Sequence, residues 1–310
     1  MSAVGGRFKR FPHHMVVFLA PATIIYTLFM VYPLLDSIRL SLYTTDGTGA
    51  FHFAGLTNYI AIMTDPLWAG PFWNALKNNF IFFTMHMLVQ NPIGIMLAAL
   101  LSLPKLAGRT TYRTLIFMPT MLSVVIIGFI WQLILSPLWG VSETLLDHIG
   151  LVDLFQPWLG QEATALVTLS LISVWQFVGI PMMLIYAAML NIPEDLTEGA
   201  IIDGANHWEI FWHIKLPLIL PTIAMVSILT FVANFNAFDL IYSVKGALAG
   251  PDFSTDIMGT FFYRTFFGFQ LQLGNPTMGA TVATMMFGVI LVGVLFYLFV
   301  LQRKLRRYAL

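Results

Sequence analysis

Cysteine is absent from the 310 residues, which excludes disulfides, thiolate metal sites and a cysteine nucleophile and leaves the compartment undecided. Charge is almost as scarce. Asp, Glu, Lys and Arg make up 10% of the chain against 58% hydrophobic residues, with a mean hydropathy of +0.81, whereas a soluble domain carries about 25% charged residues. A lipid bilayer is the natural solvent for such a chain. Fifteen Lys and Arg offset fifteen Asp and Glu, so the balance gives no sign of a nucleic-acid partner and only the placement of charges informs. Also missing are G-x-x-x-x-G-K-[ST], Gly-x-Ser-x-Gly and His-Glu-x-x-His, and no Gly-Lys pair occurs at all. These absences remove a phosphate-cradling loop, a serine-hydrolase elbow and a helical zinc site from this chain. No catalytic constellation, internal repeat or low-complexity tract is found.

What the chain has is long apolar runs. A helix needs about 20 predominantly apolar residues to cross roughly 30 Å of hydrocarbon, and six stretches qualify, at 15–35, 79–103, 115–136, 164–190, 218–242 and 278–301. The expected fold is an all-α integral membrane protein with six transmembrane helices. Arg7, Lys9 and Arg10 followed by Ala20-Pro21-Ala22 imitate a signal peptide, but only about six apolar residues precede that site and a cleavable leader needs roughly 7–15. The Lys and Arg count orients the bundle. Arg7, Lys9, Arg10, Lys105, Arg109, Arg113, Lys215, Arg303, Lys304, Arg306 and Arg307 fall on one side, against Arg39, Lys77, Lys245 and Arg264 on the other. Both termini are therefore expected in the cytoplasm, with 1–14 as an N-terminal tail. The segments 36–78, 137–163 and 243–277 read as outside loops with short helices, marked by turn signals such as Asp46-Gly47 and Gly250-Pro251.

A transporter driven by an ion gradient needs ionisable groups at membrane depth. Here the acid within a proposed span is Asp239, close to its end, and the intramembrane histidine is His86 beside Met85 and Met87. His86 reads as a hydrogen-bonded packing residue rather than a proton relay. Gln90, Asn91, Asn234 and Asn236 are the main remaining polar groups. Energy is expected from outside the bundle.

The cytoplasmic loop 191–217 holds five acids and one base, which its side of the membrane does not explain. It reads as helix, turn, helix. Pro193 suits a first helical position, with Glu194 and Asp195 in the first turn where the macrodipole favours acid. Gly204 supplies the break, Asn206 caps a second short helix, and Leu216-Pro217 ends it and starts the next span. Leu196 and Ala200 share one face of the first helix, and Trp208, Phe211 and Trp212 one face of the second. Helices that lie in lipid headgroups are rich in Lys and Arg; this acidic pair suits docking into a groove on a partner protein. On residues alone a stand-alone channel or facilitator, or a membrane scaffold, stays open.

The same run resembles the coupling motif of binding-protein-dependent ABC importer permeases, E-A-A-x-x-x-G followed nine residues later by I-x-L-P. Glu198, Ala200, Gly204, Ile214, Leu216 and Pro217 match at that spacing, and Gly199 replaces the first Ala, loosening the helix by about 1 kcal/mol. Asn191-Ile-Pro and Ile202-Asp-Gly-Ala205 look like the carbohydrate branch, similar to maltose and glycerol-phosphate permeases. Asn234-Phe-Asn-Ala-Phe-Asp239-Leu-Ile-Tyr242 and Phe261-Phe-Tyr-Arg-Thr-Phe-Phe267 look like the end of the fifth span and the segment after it. The family's T-x-G-G-P turn is degenerate, reading Val244-Lys-Gly-Ala-Leu-Ala-Gly-Pro251.

The resemblance runs from Tyr26 to the C-terminus. It implies a type I ABC importer permease fold over 15–310 with coupling helices at 194–213, a second homologous permease, two ATPase subunits carrying ATP and Mg, a periplasmic solute-binding protein and surrounding lipid. No cofactor is expected on this chain itself. The implied ATPase-coupling residues are Glu198, Gly199, Ala200, Asp203, Gly204, Ala205, Trp208 and Phe211. For a sugar, the implied cavity residues are Asn234, with Thr230 and Ala237 on the same helical face, Gly179 and Met182 on the fourth span, and Trp175 as a flat aromatic surface. Asn236 lies about 200° around the helix from Asn234. Asn234 serves either a solute or a neighbouring helix.

Overall fold

Backbone amides cannot stay unpaired in hydrocarbon, so apolar runs of this length fold as helices. The computed structural model describes residues 13–46, 49–103, 106–270 and 272–305. Of the bases used for orientation, Arg7, Lys9, Arg10, Lys105, Arg306 and Arg307 lie outside the described residues, as does tail 1–12. In chain order the helices are α1 (Val16–Leu40), α2 (Thr57–Thr64), α3 (Pro66–Leu101), α4 (Arg109–Met121), α5 (Val124–Ile134), α6 (Val141–His148), α7 (Glu162–Phe177) and α8 (Gly179–Leu190). They continue with α9 (Glu194–Ile202), α10 (His207–Ile210), α11 (Leu216–Phe235), α12 (Asp239–Lys245), α13 (Met258–Phe267) and α14 (Pro276–Lys304).

Four helical runs are long and apolar enough to cross a membrane, α1, α3, the run His207–Lys245 and α14, or up to six if each of two bent pairs is one span. The pairs are α4 with α5, bent by 96°, and α7 with α8, bent by 42°. The span expected over 115–136 is thus sharply broken. Pro119 cannot donate a helical hydrogen bond, and Ser123 adopts an extended backbone, φ −59° and ψ 131°. The buried Gln176 side chain donates to the freed Leu122 carbonyl at 3.1 Å. In the second pair, Pro181 leaves the Phe177 carbonyl without its helical donor.

Prolines do not always break these helices. The backbone widens to a π turn at Thr27–Val31, His86–Gln90 and Phe211–Lys215, each two residues before Pro33, Pro92 and Pro217. The wider turn carries the helix past the donor that proline lacks. Consequently Leu216-Pro217 does not end the second loop helix: α10 runs through the π turn into α11, with the Leu216 N–H reaching the Phe211 carbonyl. Expected boundaries also move upstream, because α3 begins at Pro66 rather than 79. At about 54 Å it exceeds the roughly 30 Å of hydrocarbon. Two small hairpins join the expected short helices, pairing Tyr43–Thr45 with Phe51–Phe53 and Gly268–Phe269 with Gln272–Leu273.

The packing is inverted relative to a water-soluble protein. Asn78, Asn79, His86, Gln90, Gln176, Thr230, Asn234 and Thr281 are buried, whereas α1 and α14 expose Phe18, Phe29, Val292 and Phe296. Contiguous apolar surface of that kind belongs against lipid or protein. One interior cluster joins the second half of α3 to α8 and α11, a second joins α5 and α7 to α12, and a third joins α2 and α3 to α13 and α14. The loop before α13 is held by a buried ion pair. Arg264 Nη2 meets Asp256 Oδ2 at 2.6 Å, Nη1 meets Oδ1 at 3.2 Å, and Thr260 donates to Oδ1 at 2.7 Å. Burial pushes the Asp256 carboxyl up from its ordinary range, and the Arg264 guanidinium opposes that push. Removing one partner strands a buried charge. Arg264→Met should therefore destabilise the protein by about 3–5 kcal/mol, measured as a fall in the unfolding midpoint in mild detergent.

Candidate solute cavity and coupling surface

Every irregularity in the helical backbone named above, apart from the π turns at Thr27–Val31 and Phe211–Lys215, falls beside one cavity of about 500 Å³. Its wall takes His86 and Gln90 from the π turn of α3, Val124 from the α4–α5 break, Phe177, Ile180 and Pro181 from the α7–α8 bend, and residues 236–241 from the interruption between α11 and α12. Non-helical backbone at membrane depth is tolerated only where it is buried in protein or lines a cavity, and the arrangement here follows that rule. The volume lies within the roughly 300–1,000 Å³ typical of small-molecule sites.

Thr230, Asn234 and Ala237 line this cavity. The Asn234 amide donates to the Thr230 carbonyl of its own helix at 2.7 Å, and its buried Oδ1 has no hydrogen-bond partner. An unpaired buried acceptor costs about 1–3 kcal/mol unless something supplies a donor. Thr230 donates to the Val226 carbonyl at 2.9 Å and lies 3.3 Å from Asn91 Oδ1. The other three expected residues lie off the cavity. Met182 is 0% exposed within the cluster of α3, α8 and α11. Gly179 is a packing glycine, since a Cβ there would stand 2.9 Å from Phe117 Cα and 3.0 Å from the Ile116 carbonyl. Trp175 is 44% exposed with its ring edge-on to Trp131 at 5.5 Å.

The wall also takes polar and aromatic residues outside the expected cavity set, among them Phe82, Gln90, Ser173, Phe177, Asn236 and Phe238. Asn236 should point away from Asn234 on a continuous helix, but α11 ends at Phe235 and the chain turns. His86 is buried and hydrogen-bonded, yet it also lines the cavity. Its Nδ1 donates to the Phe82 carbonyl at 2.8 Å, which can only accept, and Nε2 faces the Ser173 hydroxyl at 3.0 Å. The spacing of His86 and Gln90, four residues apart on α3, is the sequence signal that could have placed both on one face. Asp239 is exposed in the first turn of α12, where a helix N-terminus favours an acid.

The loop below the cavity is built by its caps. α9 starts at Glu194, so Pro193 precedes the helix instead of opening it. At the other end the Ala205 N–H reaches the Ala200 carbonyl at 2.9 Å and the Gly204 N–H the Ile201 carbonyl at 3.0 Å. This Schellman closure needs a left-handed residue, and Gly204 has φ +88°. Asn206 Oδ1 then accepts from the Trp208 and Glu209 N–H groups at 3.0 Å each, and Glu209 accepts from the Asn206 N–H at 2.8 Å. The acids Glu194, Asp195, Glu198, Asp203 and Glu209 are all exposed. So are Ile202, 85% exposed, and Trp208, 69% exposed, the latter edge-on to Trp212 at 5.5 Å. Glu198, Gly199, Asp203 and Gly204 are exposed, Ala200, Ala205 and Phe211 half-buried.

A polytopic helical bundle around a solute-sized, amide-bearing cavity, with a capped acidic helix pair at its surface, defines a membrane permease. The family model described as binding-protein-dependent transport system inner membrane component matches residues 90–307, and the chain belongs to that family. It is similar to the lactose transport system permease protein LacF of Rhizobium radiobacter, 32% identical over 274 residues and covering 88% of this chain and 90% of LacF. Its fold is also that of a bacterial ABC transporter involved in import of the acidic polysaccharide alginate, with a TM-score of 0.78 and 23% identity over 95% of this chain and 96% of that one. A second structure of an alginate transporter, in complex with an alginate pentasaccharide-bound periplasmic protein, aligns with a TM-score of 0.76 and 23% identity over 92% of each chain.

The capping box predicts a local effect. Asn206→Ala should cost about 1 kcal/mol at the start of α10. Amide exchange at Trp208 and Glu209 should then rise about fivefold while exchange in α9 is unchanged.

Proposed function

We propose that this chain is the membrane-spanning subunit of an ATP-driven importer that moves a sugar or sugar derivative across a bacterial inner membrane. The observation that carries the reading is the amide-bearing cavity of solute size in a chain related over nearly its whole length to a lactose permease. Each bent pair counts as one span, giving six, with both termini cytoplasmic as the Lys and Arg distribution requires. Residues 1–14 form a tail and 15–310 one permease domain. A second homologous permease completes the pathway, a periplasmic binding protein delivers the solute, and two ATPase subunits hold ATP and Mg on the cytoplasmic side.

The 194–213 helices form the lever. Glu198, Gly199, Ala200, Asp203, Gly204 and Ala205 shape its turn, and Trp208 and Phe211 root it in the helix that becomes α11. Because α10 continues into α11 without a break, a force on the loop acts directly on the helix that carries Thr230 and Asn234. ATP-driven closure of the ATPase pair rocks that helix, and the cavity faces out and in by turns. Asn234 Oδ1 accepts a solute hydroxyl, Thr230 and Ala237 shape the same wall, and Phe82, Phe177 and Phe238 offer apolar surface to its C–H faces. Gly179, Met182 and Trp175 support this wall from behind instead of touching solute.

Purification of the tagged chain from mild detergent tests the assembly. A second permease and two ATPase copies should accompany it, with ATPase activity rising when binding protein and lactose or another candidate sugar are added; a chain that emerges intact and alone would move the assignment to a channel or facilitator. Gly204→Pro should abolish uptake while leaving ATP hydrolysis running, because proline cannot adopt φ +88° or supply the N–H that closes α9; normal uptake in that variant would sink the lever. Asn234→Ala should raise the uptake KM about fivefold for the loss of one hydrogen bond of about 1 kcal/mol. An unchanged KM would make Asn234 a helix-packing residue.

A further inference from the structure

The amide of Asn79 joins two helix ends that are far apart in sequence. The residue lies in α3 and is 0% exposed. Its Nδ2 donates to the Asn234 carbonyl at 3.0 Å, and its Oδ1 accepts from the Met258 N–H at 2.7 Å. Asn234 stands at the C-terminal end of α11, where its carbonyl also accepts from the Ala237 N–H at 3.3 Å, and Met258 opens α13, where N–H groups lack intrahelical acceptors. One side chain therefore caps both ends. Nearby residues of the same helix do something different: Asn74 donates to the Phe253 carbonyl at 2.8 Å, and Asn78 donates to the carbonyls of Ser254 and Asp256 at 3.1 and 2.8 Å. Those two hold the loop before α13 onto α3 without touching α11.

We infer that Asn79 is a positioning residue for transport, tying the cavity end of α11 to the outer segment 247–264 so that the two move as one body. The outer segment is rigid in itself, since Arg264 binds both Asp256 and the Ala247 carbonyl, the latter at 2.9 Å. A displacement of that segment thus reaches the Asn234 backbone directly through the Asn79 amide, alongside the packing of Gly259 on the Ala237 carbonyl and of Phe238 on Tyr263, whose rings stand 5.6 Å apart, and Asn234 Oδ1 and Ala237 shift with it. This role rests on the cavity reading above for its effect on solute, but the mechanical link stands on the two hydrogen bonds.

This chain has no cysteine of its own, so it can be labelled at two introduced positions before it is assembled with its partners in lipid nanodiscs. Spin labels are placed at Met225→Cys, on the exposed face of α11 and off the cavity wall, and at Phe267→Cys, on the exposed end of α13, and their separation is measured by pulsed electron paramagnetic resonance. The parent should give one narrow distance distribution. Asn79→Leu should broaden it at least twofold, whereas Asn78→Leu, which also loses two hydrogen bonds from a buried side chain, should leave it narrow. Asn79→Thr, which keeps a single hydroxyl, should fall between and serves if the leucine variant fails to fold. Uptake of whichever sugar the parent carries should show KM raised about tenfold in Asn79→Leu and unchanged in Asn78→Leu. A narrow distribution in Asn79→Leu or Asn79→Thr, or equal broadening in Asn78→Leu, overturns the link. A parent that carries no sugar would overturn the transport reading alone, since the label distances decide the link by themselves.

Discussion

In hydrocarbon there is no water to pair a stray amide, and each unsatisfied backbone group costs several kcal/mol. That constraint organises this protein. Its helices are interrupted by proline and by turns, and the interruptions are repaired from within: Gln176 donates to the Leu122 carbonyl, Asn79 to the Asn234 carbonyl, and π turns carry the chain past Pro33, Pro92 and Pro217. Buried asparagines and glutamines are the means by which an apolar chain maintains broken backbone inside a membrane.

The cavity is the other consequence of the same breaks. A regular helix presents side chains to its neighbours and leaves no room; where α3 widens, α4 gives way to α5, α7 bends into α8 and α11 stops, space opens and polar groups line it. Binding and stability therefore draw on the same residues. Asn234 stands at a helix end that needs a cap, bears an amide with a spare acceptor, and sits beside the turn that brings Asn236 and Phe238 to the wall.

The loop 191–217 works by the opposite logic. Caps and turn residues set its local shape, Gly204 with φ +88° and the Asn206–Glu209 box, while Ile192 and Phe211 anchor its two ends on the bundle. Its acids and rings stay exposed, and the helix that starts in it runs without a break into α11, which forms part of the cavity wall.

The sequence by itself determined the solvent, the apolar runs, the turn at Gly204, the cap at Asn206 and the face shared by Thr230 and Asn234, because each follows from composition or from contacts within a few residues. Only the tertiary structure decided where the helices break. The span that holds Pro119 bends by 96° around the extended Ser123, where Gln176 from another helix takes the Leu122 carbonyl, whereas Pro217 follows a π turn and leaves its helix continuous. The same reason removed Gly179, Met182 and Trp175 from the cavity and brought Asn236 to it: which side of a helix faces a hollow depends on how its neighbours cross it, and that is set by packing between segments a hundred residues apart.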